Sequence, residues 1–196
     1  IYVLGAVSFL MDVASEMVYP LLPLFLVSSL GVGKEIVGLI EGIAEATASL
    51  SKVVSGRLSD HAATRKPFLL AGYGLPFFVR PLLALATSPW YVLSFRFLDR
   101  LGKGIRTAPR DALIAENANQ DIYGRAYGLH RAMDSLGATL GPLLAVLLLP
   151  SLGFRTIFWL SMIPAALCIL VIMTLVKEKR TEPKPLAPFR FKNYSP

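Results

Sequence analysis

Apolar residues along this chain gather into six blocks, near 2–30, 35–56, 67–87, 89–110, 125–149 and 154–176, separated by short polar gaps. Each block is about as long as the roughly 20 helical residues that cross a hydrocarbon core of about 30 Å. Three of the gaps are Gly31-Val32-Gly33-Lys34, Thr87-Ser88-Pro89 and Pro150-Ser151-Leu152-Gly153. Turn residues packed so tightly leave room only for antiparallel helix hairpins. Runs such as Leu143 to Leu149 and Leu167 to Val176 are apolar on every side of a helix. A soluble bundle or a helix lying on a membrane surface would show one apolar face instead. The pattern predicts an all-α membrane protein with six transmembrane helices over 1–176 and a polar stretch over 177–196.

Composition agrees. Apolar residues make up 54% of the 196 and charged residues only 17%, where a soluble domain carries about a quarter. The net charge of +7 comes from 20 Lys+Arg against 13 Asp+Glu. In a soluble protein that surplus would suggest nucleic acid. Here the bases collect in alternate gaps: Arg57, Arg65 and Lys66, then Arg106, Arg110 and Arg125, then Lys177, Lys179, Arg180, Lys184, Arg190 and Lys192. The opposite gaps hold only Lys34 and Arg155. The positive-inside rule therefore puts both ends of this segment in the cytoplasm, with basic loops against anionic lipid. Membrane lipid, not nucleic acid, is the expected partner.

Enzyme chemistry finds little support. Cys168 is the single cysteine, so no disulfide framework or cysteine metal site is expected. His61 and His130 lie on distant elements, without zinc-site spacing. Gly102-Lys103-Gly104 is too short for a phosphate loop, and no serine triad can be assembled. No cofactor or resident metal is expected. The first apolar block is too long for a signal peptide. With Ile1 at one end and a polar stretch at the other, both ends read as truncations.

Three motifs carry a resemblance. After the second block stands Gly56-Arg57-Leu58-Ser59-Asp60-His61-Ala62-Ala63-Thr64-Arg65-Lys66. Gly56 allows close helix approach, Asp60 can pair with a cation, and Arg65 and Lys66 anchor the inner face. The fourth block has Arg96-Phe97-Leu98-Asp99-Arg100-Leu101-Gly102-Lys103-Gly104, and the fifth has Gly137-Ala138-Thr139-Leu140-Gly141-Pro142. Together, in this order, they resemble the loop motif, the fourth-helix motif and the fifth-helix packing motif of the major facilitator superfamily. His61 and Ala63 depart from that family's usual Arg and Gly, and Asp99, Arg100 and Lys103 from its usual Gln-Gly and small residue. The resemblance implies half of a twelve-helix facilitator fold, built from two inverted three-helix repeats. It makes 177–196 the start of a central cytoplasmic linker, and a C-terminal half of the same protein the missing partner. The stretch from Asp99 to Asp111 is also similar to a bacterial branch associated with iron physiology and magnetosome membranes.

Ionisable residues inside a membrane default to functional hypotheses. Asp12 and Glu16 in the first block, and Glu41 and Glu45 in the second, are each four apart and share a helix face. Arg96, Asp99, Lys103, Arg106 and Arg110 form one stripe with Arg100 on its edge. It must face protein or water. In the resembling fold the first and fourth spans line the central cavity, so Asp12 and Glu16 would look across at Arg96, Arg100 and Lys103. The implied function is proton-coupled alternating access that moves a small, anionic solute across a bacterial inner membrane. Asp12 or Glu16 would be the proton or cation site, and the bases would attract the solute. A metal ion or chelate held by Asp12, Glu16, Glu41 and Glu45 is the alternative cargo, and a non-transporting scaffold or sensor the alternative class. Each charge also has a plainer reading as helix pairing: Asp99 with Lys103, Asp134 with Arg131, Arg80 with a neighbouring carboxylate. His130 reads as a packing or hydrogen-bonding residue before a relay. Gly137, Gly141 and Pro142 read as helix packing.

Overall fold

In a computed structural model, residues 1–118 and 120–178 are described, and the side chain of residue 120 is not. The described residues form helices and turns. They are α1 (Tyr2–Glu16), α2 (Leu21–Leu30), α3 (Lys34–Asp60), α4 (Lys66–Leu82), α5 (Pro89–Glu116), α6 (Tyr123–Leu160) and α7 (Met162–Leu175), with short 3-10 turns at Leu83–Leu85 and Gln120–Ile122. Most of the polar stretch expected over 177–196 lies outside the described residues. Three segments are long and apolar enough to cross a membrane: Tyr2–Leu30, Lys66–Leu85 and Tyr123–Leu175.

Proline and glycine set the breaks. Pro20 has no N–H, and its ring crowds the carbonyl four residues back. That carbonyl belongs to Glu16, where α1 stops. The chain passes through a tight turn and resumes as α2, which ends at Gly31 with φ 64°. Only glycine adopts that left-handed conformation cheaply. Ser88 starts α5 by accepting a hydrogen bond from the Trp90 N–H at 3.4 Å. The expected turn at Pro150–Gly153 is narrower than the sequence suggests. Helix continues to Leu152 and is broken at Gly153 alone, with φ 71° and ψ 170°.

The main packing pairs are α3 on α5, α1 on α6, α4 on α5, α1 on α7 and α4 on α7. Two apolar clusters fill the interior. One centres on Leu22, Phe25, Leu26, Ile40 and Phe158, the other on Val7, Met11, Leu69, Tyr73 and Ile172. Outward faces stay apolar too: Leu143, Val146 and Leu147 of α6 and Ile163, Leu170 and Met173 of α7 are exposed. Apolar surface on that scale suits lipid or a protein partner.

Candidate functional site

The α5 stripe divides into two layers with different chemistry. The first is paired. Asp99 is 2% exposed, takes a hydrogen bond from Arg80 Nε at 2.9 Å and another from the Tyr19 hydroxyl. Arg80, 1% exposed, also donates from Nη2 to Ser15 Oγ at 2.7 Å and to Tyr19 Oη at 3.3 Å. Arg96 forks onto Glu41, Nε to Oε1 at 3.0 Å and Nη2 to Oε2 at 2.6 Å. Arg100 lies 3.8 Å from Glu45. The Tyr19 ring lies under all three guanidinium groups, at 4.0 Å from Arg96, 4.6 Å from Arg100 and 5.6 Å from Arg80. Three arginines meet three carboxylates, so the layer is neutral. It ties the α1–α2 break to α3, α4 and α5.

The second layer is open. A cavity of about 370 Å³ is lined by Asp12 and Glu16 of α1, Lys52 of α3, Lys103, Arg106, Thr107, Arg110 and Asp111 of α5, and Arg131, Asp134, Ser135 and Ala138 of α6. Several of these charges are engaged. Arg110 holds Asp111 at 3.0 Å and Ser8 Oγ at 3.0 Å. Arg106 donates to the Gly72 carbonyl at 3.3 Å and stacks 4.6 Å over Tyr73. Asp134 lies 3.6 Å from His130 and 3.7 Å from Arg131, and His130 lies 3.4 Å from Ser8 Oγ. Asp12, Glu16, Lys52 and Lys103 differ: none of their side chains makes an ion pair or hydrogen bond among the described residues.

Glycines set the cavity wall. A Cβ on Gly137 would fall 2.7 Å from the Phe9 carbonyl oxygen and 3.0 Å from Asp12 Cβ. On Gly141 it would fall 2.6 Å from Glu16 Cβ. α1 and α6 therefore meet backbone to backbone directly behind the two acids, with half-buried Pro142 next in the chain.

The inner ends carry a separate knot. Gly56 packs against Ala108, whose Cβ an added methyl would approach at 3.1 Å. Arg65 pairs with Glu116 and lies 3.4 Å from Asp60. Partial burial opposes the charge of Arg65, but hydrogen bonding and attraction from Glu116, then from Asp60, outweigh it and raise its pKa. Lys66 Nζ donates to the carbonyls of Met173 at 3.0 Å and Val176 at 2.9 Å. The Glu178 carboxylate in return accepts from the Lys66 N–H at 2.8 Å and from the Arg65 N–H.

The geometry revises the expected arrangement. Asp12 and Glu16 share the cavity with Lys103, whereas Arg96 and Arg100 turn to Glu41 and Glu45. Asp99 pairs with Arg80, 19 residues back, instead of Lys103. The four acids of the metal alternative are thereby split two and two. No group of three His, Cys, Asp or Glu among the described residues is placed to hold a metal ion. Sequence reasoning passed over Tyr19, which carries no charge and sits at a helix break. It took Arg106 and Arg110 for inner-loop residues, although the helical stripe already held both.

The family model of the Major Facilitator Superfamily matches residues 4–195, and the chain belongs to that family. An uncharacterised MFS-type transporter of Methanocaldococcus jannaschii is 39% identical over 181 residues, covering 91% of this chain and 45% of that protein. The multidrug resistance protein MdtG of Escherichia coli O1:K1 / APEC is 31% identical over 177 residues, covering 87% and 42%. The chain thus spans less than half the length of these relatives. Among solved structures, a POT family transporter in complex with 5-aminolevulinic acid superposes with a TM-score of 0.81 at 18% identity, covering 88% of this chain and 37% of that one. The human organic anion transporter MFSD10 gives 0.75 at 22%, covering 92% and 49%. These likenesses establish the fold, and the family match makes the chain part of a multi-pass membrane protein.

Proposed function

We propose that this segment is the N-terminal half of a secondary active transporter, which moves a small charged solute across a bacterial inner membrane by proton-coupled alternating access. One observation carries the reading. Charges that bind helices together are paired, whereas Asp12, Glu16, Lys52 and Lys103 stand unpaired around a cavity. Unpaired charge at membrane depth is costly, and a scaffold or sensor would gain nothing from it. The structural neighbours are named as transporters of peptides and organic anions, solutes that carry charge as this cavity does.

Six spans are proposed: α1 with α2, α3, α4, α5, α6 up to Gly153, and the remainder with α7. Numbered one to six, they pair chiefly as one with five, two with four, three with four, one with six, and three with six. That list is unchanged when the first three exchange with the last three, which supports two inverted repeats. Both ends of the segment lie in the cytoplasm, 177–196 leads into a linker, and the C-terminal half completes the cavity. Cysteine substitutions at Thr87 and Ser151 should then react with an impermeant reagent outside intact cells, while Thr64 should not.

The function is tested with the full-length protein in proteoliposomes holding a pH-sensitive dye. Amino acids, organic acids and organic cations are added in turn. Wild-type protein should couple one class to a proton flux that Asp12→Asn or Glu16→Gln removes. Absence of counterflow and proton flux for every class would favour the scaffold.

A further inference from the structure

We propose that the cavity takes a small zwitterionic solute, its ammonium group on Asp12 and Glu16 and its carboxylate on Lys103 and Lys52. The inference rests on the transporter reading only in treating the cavity as a solute site. Asp12 and Glu16 stand one helical turn apart on α1, so they present acid at two successive levels of one wall. The lysines come from α3 and α5. Both lysines are exposed to the cavity and both acids are half-buried beside it. None of the four side chains makes an ion pair or hydrogen bond among the described residues.

Charge balance narrows the class. A simple anion would satisfy the lysines and leave Asp12 and Glu16 facing only Arg106, which is already turned to the Gly72 carbonyl and the Tyr73 ring. A simple cation would do the reverse. A divalent metal would meet two carboxylates but also Lys52, Lys103 and Arg106 around the same space. A solute with one ammonium and one carboxylate answers both walls at once. Of the neighbouring charges, Arg110 is held by Asp111, Asp134 by Arg131 and His130, and Arg106 is turned to the Gly72 carbonyl and the Tyr73 ring. The part of the cavity that this half lines, about 370 Å³, already has room for an amino-acid-sized molecule, ligand pockets starting at about 300 Å³.

The test uses matched probes on the purified full-length protein in detergent, by calorimetry. The zwitterions are 4-aminobutyrate, 6-aminohexanoate, alanine and leucine, the anions butyrate and hexanoate, the cations butylamine and hexylamine. At least one zwitterion should bind about tenfold or more tightly than the best anion and the best cation. The paired variant Lys52→Gln/Lys103→Gln should move the preference toward the amines. Asp12→Asn/Glu16→Gln should move it toward the acids. Opposite shifts cannot come from general loss of fold, which would weaken every probe alike. Binding of anions or cations as tightly as zwitterions, binding of no zwitterion, or equal loss for all probes in both variants would overturn the proposal. Uptake in proteoliposomes separates it from the transport reading. A zwitterion that binds but never crosses leaves the inference standing and defeats transport. A purely anionic or cationic solute that crosses does the opposite.

Discussion

Replacing Asp99 by Asn should destabilise the full-length protein more than any other single charge removal in the paired layer. The carboxylate is 2% exposed and faces Arg80, itself 1% exposed, at 2.9 Å. Asn keeps the shape and still accepts from Tyr19, but it leaves the Arg80 guanidinium without its counter-charge. Breaking a buried pair from one side costs about 3–5 kcal/mol, because the remaining ion stays desolvated. Glu45→Gln provides the scale. Its side chain is 67% exposed and 3.8 Å from Arg100, and such solvated pairs are worth about 0–1 kcal/mol. Unfolding would be followed by tryptophan fluorescence in detergent against denaturant. The double variant Arg80→Met/Asp99→Leu should regain most of the loss, since apolar residues of similar volume replace buried pairs at little cost. It should also keep solute binding, because neither residue lines the cavity. The reasoning fails if Asp99→Asn costs no more than Glu45→Gln, or if the double variant is as unstable as the single one.

Tyr19→Phe should cost about 1.5–3 kcal/mol, the range for a hydrogen bond to a charged group such as Asp99. Tyr19→Leu should cost more, since it also removes the ring under Arg96 and Arg100; equal unfolding midpoints would deny the ring its role. On α4, Gly72→Ala should destabilise by about 1–3 kcal/mol through overpacking, because its Cβ would lie 2.6 Å from Arg106 Cβ and 2.8 Å from the Gly102 carbonyl oxygen. Two residues on, Gly74→Ala meets nothing within 4 Å and should be neutral or stabilising by up to about 1 kcal/mol, as read from the same unfolding curves. Glu178→Ala removes the acceptor at the start of α4, worth about 0.3–1 kcal/mol at a helix N-terminus. Faster hydrogen exchange should follow at the N–H groups of Arg65 and Lys66, and unchanged exchange would count against the cap.

What could be read from the sequence follows the range of the forces involved. Helix positions were legible because apolar blocks and Gly breaks act locally, as where Gly31 closes α2 at the end of the first block; the break that Pro20 makes inside that block came from the structure. The α5 stripe was legible for the same reason, as helical spacing alone puts Arg96, Lys103, Arg106 and Arg110 on one face. The local pair Asp134 with Arg131 was legible, but partners on other helices were not, because they depend on helices meeting across the fold. Arg80 finds Asp99 from a different helix, and Arg96 finds Glu41, 55 residues away. Tyr19 gave no signal as an uncharged residue between two helices, yet three arginines converge on its ring. Once those partners are known, the first-span acids change meaning. With Arg96 and Arg100 neutralised by α3, Asp12 and Glu16 can no longer be their counter-ions, and no other group among the described residues pairs with them. Two carboxylates backed by Gly137 and Gly141 at a close helix contact, with no ion-pair partner of their own, are what the proposed solute site rests on.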